Sequence, residues 1–148
     1  MYKKILVPLD GSARAEKILP HVEELAHCYG ASVVFMEVVE PVPVVMDSHE
    51  SVITMQLDEM KFRDDEARSY LAARAGEFTA KKITVSTRIL HGPVVEAICD
   101  IANTEHVDLV AMASHGRGGL SRMVYGSVAE GVLQHLEQPL LLIRARDS

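Results

Sequence analysis

The stretch "VDLVAMASHGRGGLSRMVYGSVAEGVL", residues 107–133, combines a strand, a glycine-rich connection and the start of a helix. Residues 107–113, "VDLVAMA", form a short apolar run that is typical of a strand buried on both faces. The connection after this run holds four of the nine glycines in the chain. The pattern "SVAE" at 127–130 indicates a capping box with hydrogen bonds between Ser127 and Glu130, so a helix is predicted to begin at Ser127.

The same alternation of strand and helix runs along the rest of the chain. Further strands are predicted at 3–9, 32–39, 83–90 and 139–145. Helices are predicted after Ser12, within 52–78, from Gly92-Pro93 to about Thr104 with Pro93 at the first helical position, and from Ser127 to about Glu137. Glu40–Ser51 contains two prolines and is predicted to be a mobile excursion. Five strands and four helices predict one α/β domain over residues 1–148, a three-layer sandwich in which helices cover both faces of a five-stranded parallel sheet.

Composition and charge exclude several classes of protein. The 148 residues are 48% hydrophobic and 24% charged, as in a globular protein, and the formal net charge of -6 argues against nucleic acid as the main partner. Apolar runs are too short for a membrane span, and "MYKKILVPLD" does not have the pattern of a signal peptide, so a cytoplasmic protein without a membrane partner is expected. Cys28 and Cys99 lack CxxC spacing and are predicted to be buried, reduced thiols.

The predicted topology already indicates where a ligand would bind. In parallel α/β sheets, ligands bind beyond the carboxyl ends of the strands, where the strand order reverses. Three segments follow strands and are expected to meet at that edge: Pro8–Ser12, Val38–Pro41 and Ala113–Ser127.

The glycine-rich connection has the features of a phosphate site. A helix N-terminus offers unpaired amides and partial positive charge, and Gly126 would let an anion approach the backbone closely. Arg117 and Arg122 could add charge from the rim. Three more glycines can supply the positive φ angles of an amide nest: Gly116, Gly118 and Gly119. The plainer alternative is that the glycines only provide turn geometry and that Ser127 only caps the helix. The sequence contains no P-loop.

Three blocks of the sequence carry a family resemblance. "ILVPLDGS" (5–12), "HGPVVEAI" (91–98), and residues 108–133 followed by "PLLLIR" (139–144) resemble the universal stress protein family over essentially the whole chain. ATP-binding members of that family carry the motif G-x2-G-x9-G-[ST]. Gly116 and Gly126-Ser127 match its second half, whereas Ala113 replaces its first glycine. The methyl group of Ala113 is expected to narrow the approach to the ribose and phosphates without abolishing binding.

The resemblance implies a Rossmann-like fold of the adenine-nucleotide alpha-hydrolase type and an ATP or AMP site. Pro8 and Val38 would line the adenine pocket, and Asp10 would bond the ribose hydroxyls or help to hold Mg²⁺ or Mn²⁺ with the phosphates. The last strand, Pro139 to Ala145, would form a homodimer. Residues expected to wrap the ribose and phosphates are Ala113, Ser114, His115, Gly116, Arg117, Gly118 and Gly119, and those that present the helix N-terminus to the phosphates are Gly126, Ser127, Val128 and Ala129.

Three functions remain open from the sequence. The first is a nucleotide-dependent regulatory module that acts in the stress response through a protein partner of unknown identity. The second is a slow metal-dependent ATPase, against which the absence of a P-loop lysine argues. The third is a dimeric interaction protein with a vestigial pocket, against which the spacing of Gly116 and Gly126 argues.

Individual polar residues also have plainer explanations. Asp10, between a strand and a Gly-Ser turn, could be only a turn residue. His91 and His115 have no carboxylate partner that the sequence predicts, so a packing role is expected. His49, which has Asp47 and Glu50 nearby, is expected to lie in a solvated loop rather than to bind a metal.

Overall fold

The computed structural model describes residues 1–41, 50–116 and 126–146. A 3₁₀ turn (Ala15–Ile18) precedes the first α-helix. The strands are β1 (Lys4–Pro8), β2 (Ser32–Val39), β3 (Val85–His91), β4 (Leu109–Gly116) and β5 (Leu140–Arg146). The α-helices are α1 (Leu19–Tyr29), α2 (Glu50–Ala80), α3 (Val94–Thr104) and α4 (Ser127–His135).

The five strands form one parallel sheet in the order β3-β2-β1-β4-β5. The chain proceeds from β1 outward to β3 on one side and then crosses to β4 and β5 on the other. The strand order therefore reverses between β1 and β4, and the carboxyl ends of these two strands flank the position where such sheets bind ligands.

Alternate residues of the central strand enter cores on opposite faces of the sheet, as the two-residue period of a strand requires. Ile5 and Val7 pack with the 3₁₀ turn, α1 and α2, whereas Leu6 packs with α3 and α4. All three side chains are fully buried. Helices therefore cover both faces, and the predicted three-layer α/β sandwich is confirmed.

The fourth strand is longer than its sequence pattern predicts. β4 continues through Ser114, His115 and Gly116, which pair in parallel register with residues 144–146 of β5. Because β5 supplies a hydrogen-bonding edge over this length, the three residues are extended. The expectation that Gly116 supplies a positive φ angle to an amide nest is therefore wrong, while Gly118 and Gly119 lie outside the described residues.

The start of α4 is correctly placed, but its capping differs from the prediction. Gly126 is the capping residue, with φ 79° and ψ 150°, and Ser127 is already the first helical residue. Among the residues that the structure describes, no side chain caps this helix, and the amide of Glu130 donates to the Gly126 carbonyl at 3.0 Å. The predicted capping box between Ser127 and Glu130 is therefore absent, since Ser127 lies one position too far into the helix.

Two other helix starts also differ by a few residues. Pro93 has ψ 134° and precedes α3 as its capping residue, rather than occupying the first helical position. Ser12 Oγ accepts a hydrogen bond at 3.1 Å from the amide of Ala15, the first residue of the 3₁₀ turn, whose capping residue is Arg14, and α1 begins only at Leu19.

The second helix extends beyond the predicted 52–78 at both ends and has 31 residues. Ala67, Leu71 and Phe78 are buried in it as predicted, whereas Met60 is only half-buried. Glu50 and Ser51 belong to this helix and not to the predicted excursion, of which residues 42–49 lie outside the described part of the chain.

Cys28 is exposed and Cys99 is half-buried, and both are free, so the prediction of buried thiols is wrong for Cys28 and met only in part by Cys99. Within residues 1–41, 50–116 and 126–146, no helix combines the length and apolar content that crossing a membrane requires.

Candidate functional site

A cavity of about 250 Å³ lies beyond the carboxyl ends of β1, β2 and β4 and is bounded by α3 and α4. We refer to it as the edge cavity. It brings together six residues that the sequence had singled out at separate places along the chain: Pro8, Asp10, Val38, Ala113, Val128 and Ala129.

The floor of the edge cavity is apolar. Met36 and Ile98 are fully buried and Met112 is nearly so, and all three line the cavity beside Val38. Such a floor suits a flat, poorly hydrated ligand group. These three residues have the sequence pattern of ordinary core positions, so the sequence alone does not mark them as site residues. The sequence feature that could have marked Met36 and Met112 as site residues is their position close to the carboxyl end of a strand.

Asp10 is held in a turn at the mouth of the edge cavity. Its Oδ1 accepts hydrogen bonds from the amide of Ser12 at 2.9 Å and from Ser12 Oγ at 2.5 Å. Gly11, between them, has φ 84°, which favours glycine. Asp10 is therefore a turn residue, and the same side chain lines the cavity.

The N-terminus of α4 lies at the edge cavity. The first amide of this helix with a helical hydrogen bond belongs to Glu130, and its acceptor is the carbonyl of the capping residue Gly126. The amides of Ser127, Val128 and Ala129 have no acceptor within the helix, as in the first turn of any α-helix. Val128 and Ala129 line the cavity, and the Ser127 side chain is exposed. This end of the helix thus offers donors and partial positive charge to an anion.

A second cavity, of about 340 Å³, lies on the opposite face of the sheet, between β2 and α2. We refer to it as the acidic cavity, because four carboxylates (Asp10, Glu37, Glu40 and Glu66) and one cation, Arg63, line it. Burial raises the pKa of Glu37, and the nearby carboxylates of Asp10 and Glu66 raise it further. Two of the lining residues, Asp10 and Glu40, line both cavities, so the cavities adjoin at the edge of the sheet.

The 3₁₀ turn next to Asp10 is connected to α2 by a polar cluster. Tyr70 Oη donates to Glu16 Oε2 at 2.7 Å, and Arg74 Nη1 donates to Glu16 Oε1 at 3.0 Å. Burial, followed by the hydrogen bond to Glu16, raises the pKa of Tyr70, so the phenol keeps its proton at neutral pH. The cluster fixes one wall of the acidic cavity.

The other predicted residues lie in different surroundings. Ser114 is buried, with 2% of its surface exposed, and is not among the residues that line the edge cavity. Gly126 immediately precedes α4, while His115 and Gly116 end β4. Outside the described residues lie Arg117, Gly118, Gly119 and Arg122, together with Asp47 and His49.

A histidine at this edge has a carboxylate partner that the sequence could not predict. His91 Nε2 lies 2.8 Å from Asp64 Oδ1, which joins the end of β3 to α2. Among the residues that the structure describes, no group of three or more His, Cys, Asp or Glu side chains is arranged to hold a metal ion.

Comparison with known proteins supplies the family. A profile described as the universal stress protein family matches residues 1–144. The chain belongs to the universal stress protein family. Among its relatives in the family is the universal stress protein MJ0531 of Methanocaldococcus jannaschii, which is 30% identical over 144 residues, or 97% of this chain and 83% of that protein.

Solved structures of universal stress proteins share the fold. The structure of MJ0577, from the same organism, matches with a TM-score of 0.82 and 30% identity, covering 100% of this chain and 99% of that one. A family protein from Arabidopsis thaliana, solved with AMP bound, matches with a TM-score of 0.64 over 99% of this chain and 93% of its own. At 14% identity, that second likeness concerns the fold alone.

Proposed function

We propose that this universal stress protein binds an adenine nucleotide, ATP or AMP, in the edge cavity and serves as a nucleotide-dependent regulatory module in the stress response. The observation that carries the proposal is the single cavity that gathers Pro8, Asp10, Val38, Ala113 and the N-terminus of α4. The Arabidopsis protein with bound AMP lends support, since it has the same fold.

The chemistry of the edge cavity supports the following arrangement of the nucleotide. The adenine ring would lie on the apolar floor between Pro8 and Val38, and the ribose hydroxyls would bond the Asp10 carboxylate. A cavity of about 250 Å³ suits the base and ribose rather than a whole nucleotide, because small-molecule pockets begin at about 300 Å³. The phosphates would extend to the amides of Ser127, Val128 and Ala129, which have no acceptor within α4.

A divalent cation would accompany the phosphates. Mg²⁺ usually binds one or two carboxylates together with substrate phosphates and keeps several waters. Asp10, a carboxylate at the mouth of the edge cavity, fits that set of ligands, and Mn²⁺ would use the same oxygens. The cation would neutralise phosphate charge beside Asp10. We propose at most weak hydrolysis, because the sequence has no P-loop lysine.

Two further features belong to the proposal. β5 is an edge strand with apolar residues from Leu140 to Ile143, and an exposed apolar edge needs a cover. We propose that β5 pairs with its counterpart in a homodimer. A cytoplasmic location accords with a module that senses ATP or AMP.

A charge placed at the phosphate end tests the assignment. Ser127→Glu adds a carboxylate to the exposed first residue of α4, where a negative charge favours the helix but repels phosphate. Ser127→Gln is the matched neutral control. In calorimetric titration we expect Ser127→Glu to weaken ATP binding by about tenfold or more, and AMP binding by less. The same affinity in both variants would show that phosphates bind elsewhere.

A further inference from the structure

The side of α2 that faces away from the sheet carries two exposed hydrophobic residues. Met55 is 70% exposed and Phe62 is 67% exposed. They are seven residues apart, so they lie on the same side of the helix, two turns from each other. Phe62 and the buried Leu71 are separated by nine residues, about two and a half turns, so Phe62 points away from the core.

Four exposed carboxylates flank these two side chains. Asp58 and Glu59 follow Met55 by three and four residues, and Asp65 and Glu66 follow Phe62 by the same spacing. Residues three and four apart are neighbours on a helix surface. We call the six residues the outer face of α2: Met55, Asp58, Glu59, Phe62, Asp65 and Glu66.

The charge on the outer face is only partly neutralised within the helix. Arg63 Nη2 lies 2.9 Å from Glu59 Oε1, and Arg68 Nη1 lies 3.4 Å from Asp65 Oδ1. Glu66 also lines the acidic cavity, where the lining residues carry four carboxylates (Asp10, Glu37, Glu40 and Glu66) against one cation, Arg63, so the charge there stays negative. The raised pKa of Glu37 has burial and the Asp10 and Glu66 charges as its causes, so a positive group in this cavity would relieve unfavourable electrostatics.

We propose that the outer face of α2 docks a basic amphipathic helix of a partner protein, with a Lys or Arg side chain of that helix in the acidic cavity. Apolar side chains two turns apart match the spacing of one face of a partner helix. The carboxylates that flank Met55 and Phe62, together with those of the acidic cavity, favour Lys and Arg side chains along the edges of the partner helix's apolar face.

The negative charge of the outer face also argues against a second copy of this chain as the binding partner. Pairing two outer faces would bring the four carboxylates of each copy together around only two apolar residues from each. Like charges placed across an interface cost several kcal/mol. The occupant must therefore carry the opposite charge.

A designed peptide tests the proposal with the full chain and without nucleotide, so the result does not depend on the edge cavity. The probe is a fluorescein-labelled 14-residue peptide of Leu and Lys at amphipathic helical spacing, followed by fluorescence anisotropy. Its controls are a Leu/Glu twin and a peptide of the same composition with scrambled order. We expect the amphipathic Leu/Lys peptide to bind more tightly than both and to weaken as salt is added.

Variants of the protein locate the binding surface. The double change Met55→Gln and Phe62→Gln should weaken binding by about tenfold or more, whereas Leu133→Gln, at an exposed hydrophobic residue of α4, should leave binding unchanged. Glu66→Gln should weaken binding by about threefold, and Glu24→Gln, at an exposed residue of α1, should not. Circular dichroism shows whether each variant protein is folded. If the double variant is unfolded, the peptide affinity of Glu66→Gln tests the proposal by itself.

Three results would overturn the proposal. The first is equal affinity for the scrambled peptide or the Leu/Glu twin. The second is unchanged binding in both the double variant and Glu66→Gln. The third is self-association in sedimentation velocity that Met55→Gln and Phe62→Gln abolish, since the occupant would then be a second copy of the chain.

Discussion

Gly131 of α4 lies directly against Val95 of α3. A Cβ atom on Gly131 would come within 2.7 Å of Val95 Cγ2 and within 3.2 Å of Val95 Cγ1. The two helices therefore approach each other at a position where only glycine fits. Since α3 and α4 also bound the edge cavity, their separation helps to set the width of the proposed nucleotide site.

Gly131→Ala should destabilise the protein. Overpacking costs about 1–3 kcal/mol, which exceeds the gain of about 1 kcal/mol or less from replacing glycine by alanine in a helix. The matched control is Gly76→Ala in α2, where a Cβ meets no atom within 4 Å, so only the gain in helix propensity remains. Urea unfolding should give free-energy changes of opposite sign. Stabilisation by both changes would show that α3 and α4 separate freely.

Arg88→Lys should lower the free energy of unfolding. Arg88 donates to both carboxylate oxygens of Glu105, from Nη2 to Oε1 at 2.7 Å and from Nε to Oε2 at 3.1 Å. Lysine cannot reproduce this paired geometry, and we expect a loss of about 0.5–1 kcal/mol. Arg68→Lys, at an exposed single contact of 3.4 Å, is the control and should be nearly neutral. Equal losses in urea unfolding would contradict the role given to the paired contact.

Glu37→Gln should stabilise the protein at neutral pH. Burial, then Asp10 and Glu66, raise the pKa of Glu37 above its ordinary 4.5, so the folded state holds this proton more strongly than the unfolded chain does. The stability that Glu37 contributes is then present below pH 4.5 and lost as pH rises through the folded pKa. The gain from Glu37→Gln should therefore be largest near pH 7 and fade toward pH 4, as followed by urea unfolding at each pH. A gain that does not change with pH would rule out this electrostatic origin.

Ala113→Gly should tighten nucleotide binding. Ala113 lines the edge cavity, and removing its methyl group widens the approach to the α4 end. We expect calorimetry to give a dissociation constant lower by about threefold or more, in the range that one methyl-sized change produces in a pocket. Ser114→Gly is the control, because Ser114 is the next residue of β4 and is not among those lining the cavity. Equal effects of the two changes would place the cause in the strand backbone rather than in the pocket.

The strands and their order of connection could be predicted because a buried parallel strand has a nearly continuous apolar pattern. β2 was predicted at its observed bounds, Ser32–Val39. The end of β4 was not, because "SHG" has no strand pattern of its own and is extended only by pairing with β5. The local sequence of these three residues gives no sign that β5, which comes later in the chain, continues beside them.

Part of the candidate site could also be predicted, because the strands and their connections could be. Asp10 and Val38 follow strands, so topology alone brings them together. The contact of His91 with Asp64 joins residues 27 positions apart, and no local pattern predicts it. The acidic cavity was also missed, since Glu37 and Glu66 come from separate elements and meet only after α2 packs on β2.

The central claim is that the edge cavity binds an adenine nucleotide, and the most direct test is the protein's own ligand. Freshly purified protein is denatured, the released small molecules are separated by chromatography, and ligand-free refolded protein is titrated with ATP and AMP by calorimetry. We predict that ATP or AMP is released and that the refolded protein binds one nucleotide per chain. A folded protein that releases no nucleotide and gives no heat with either compound would contradict the account.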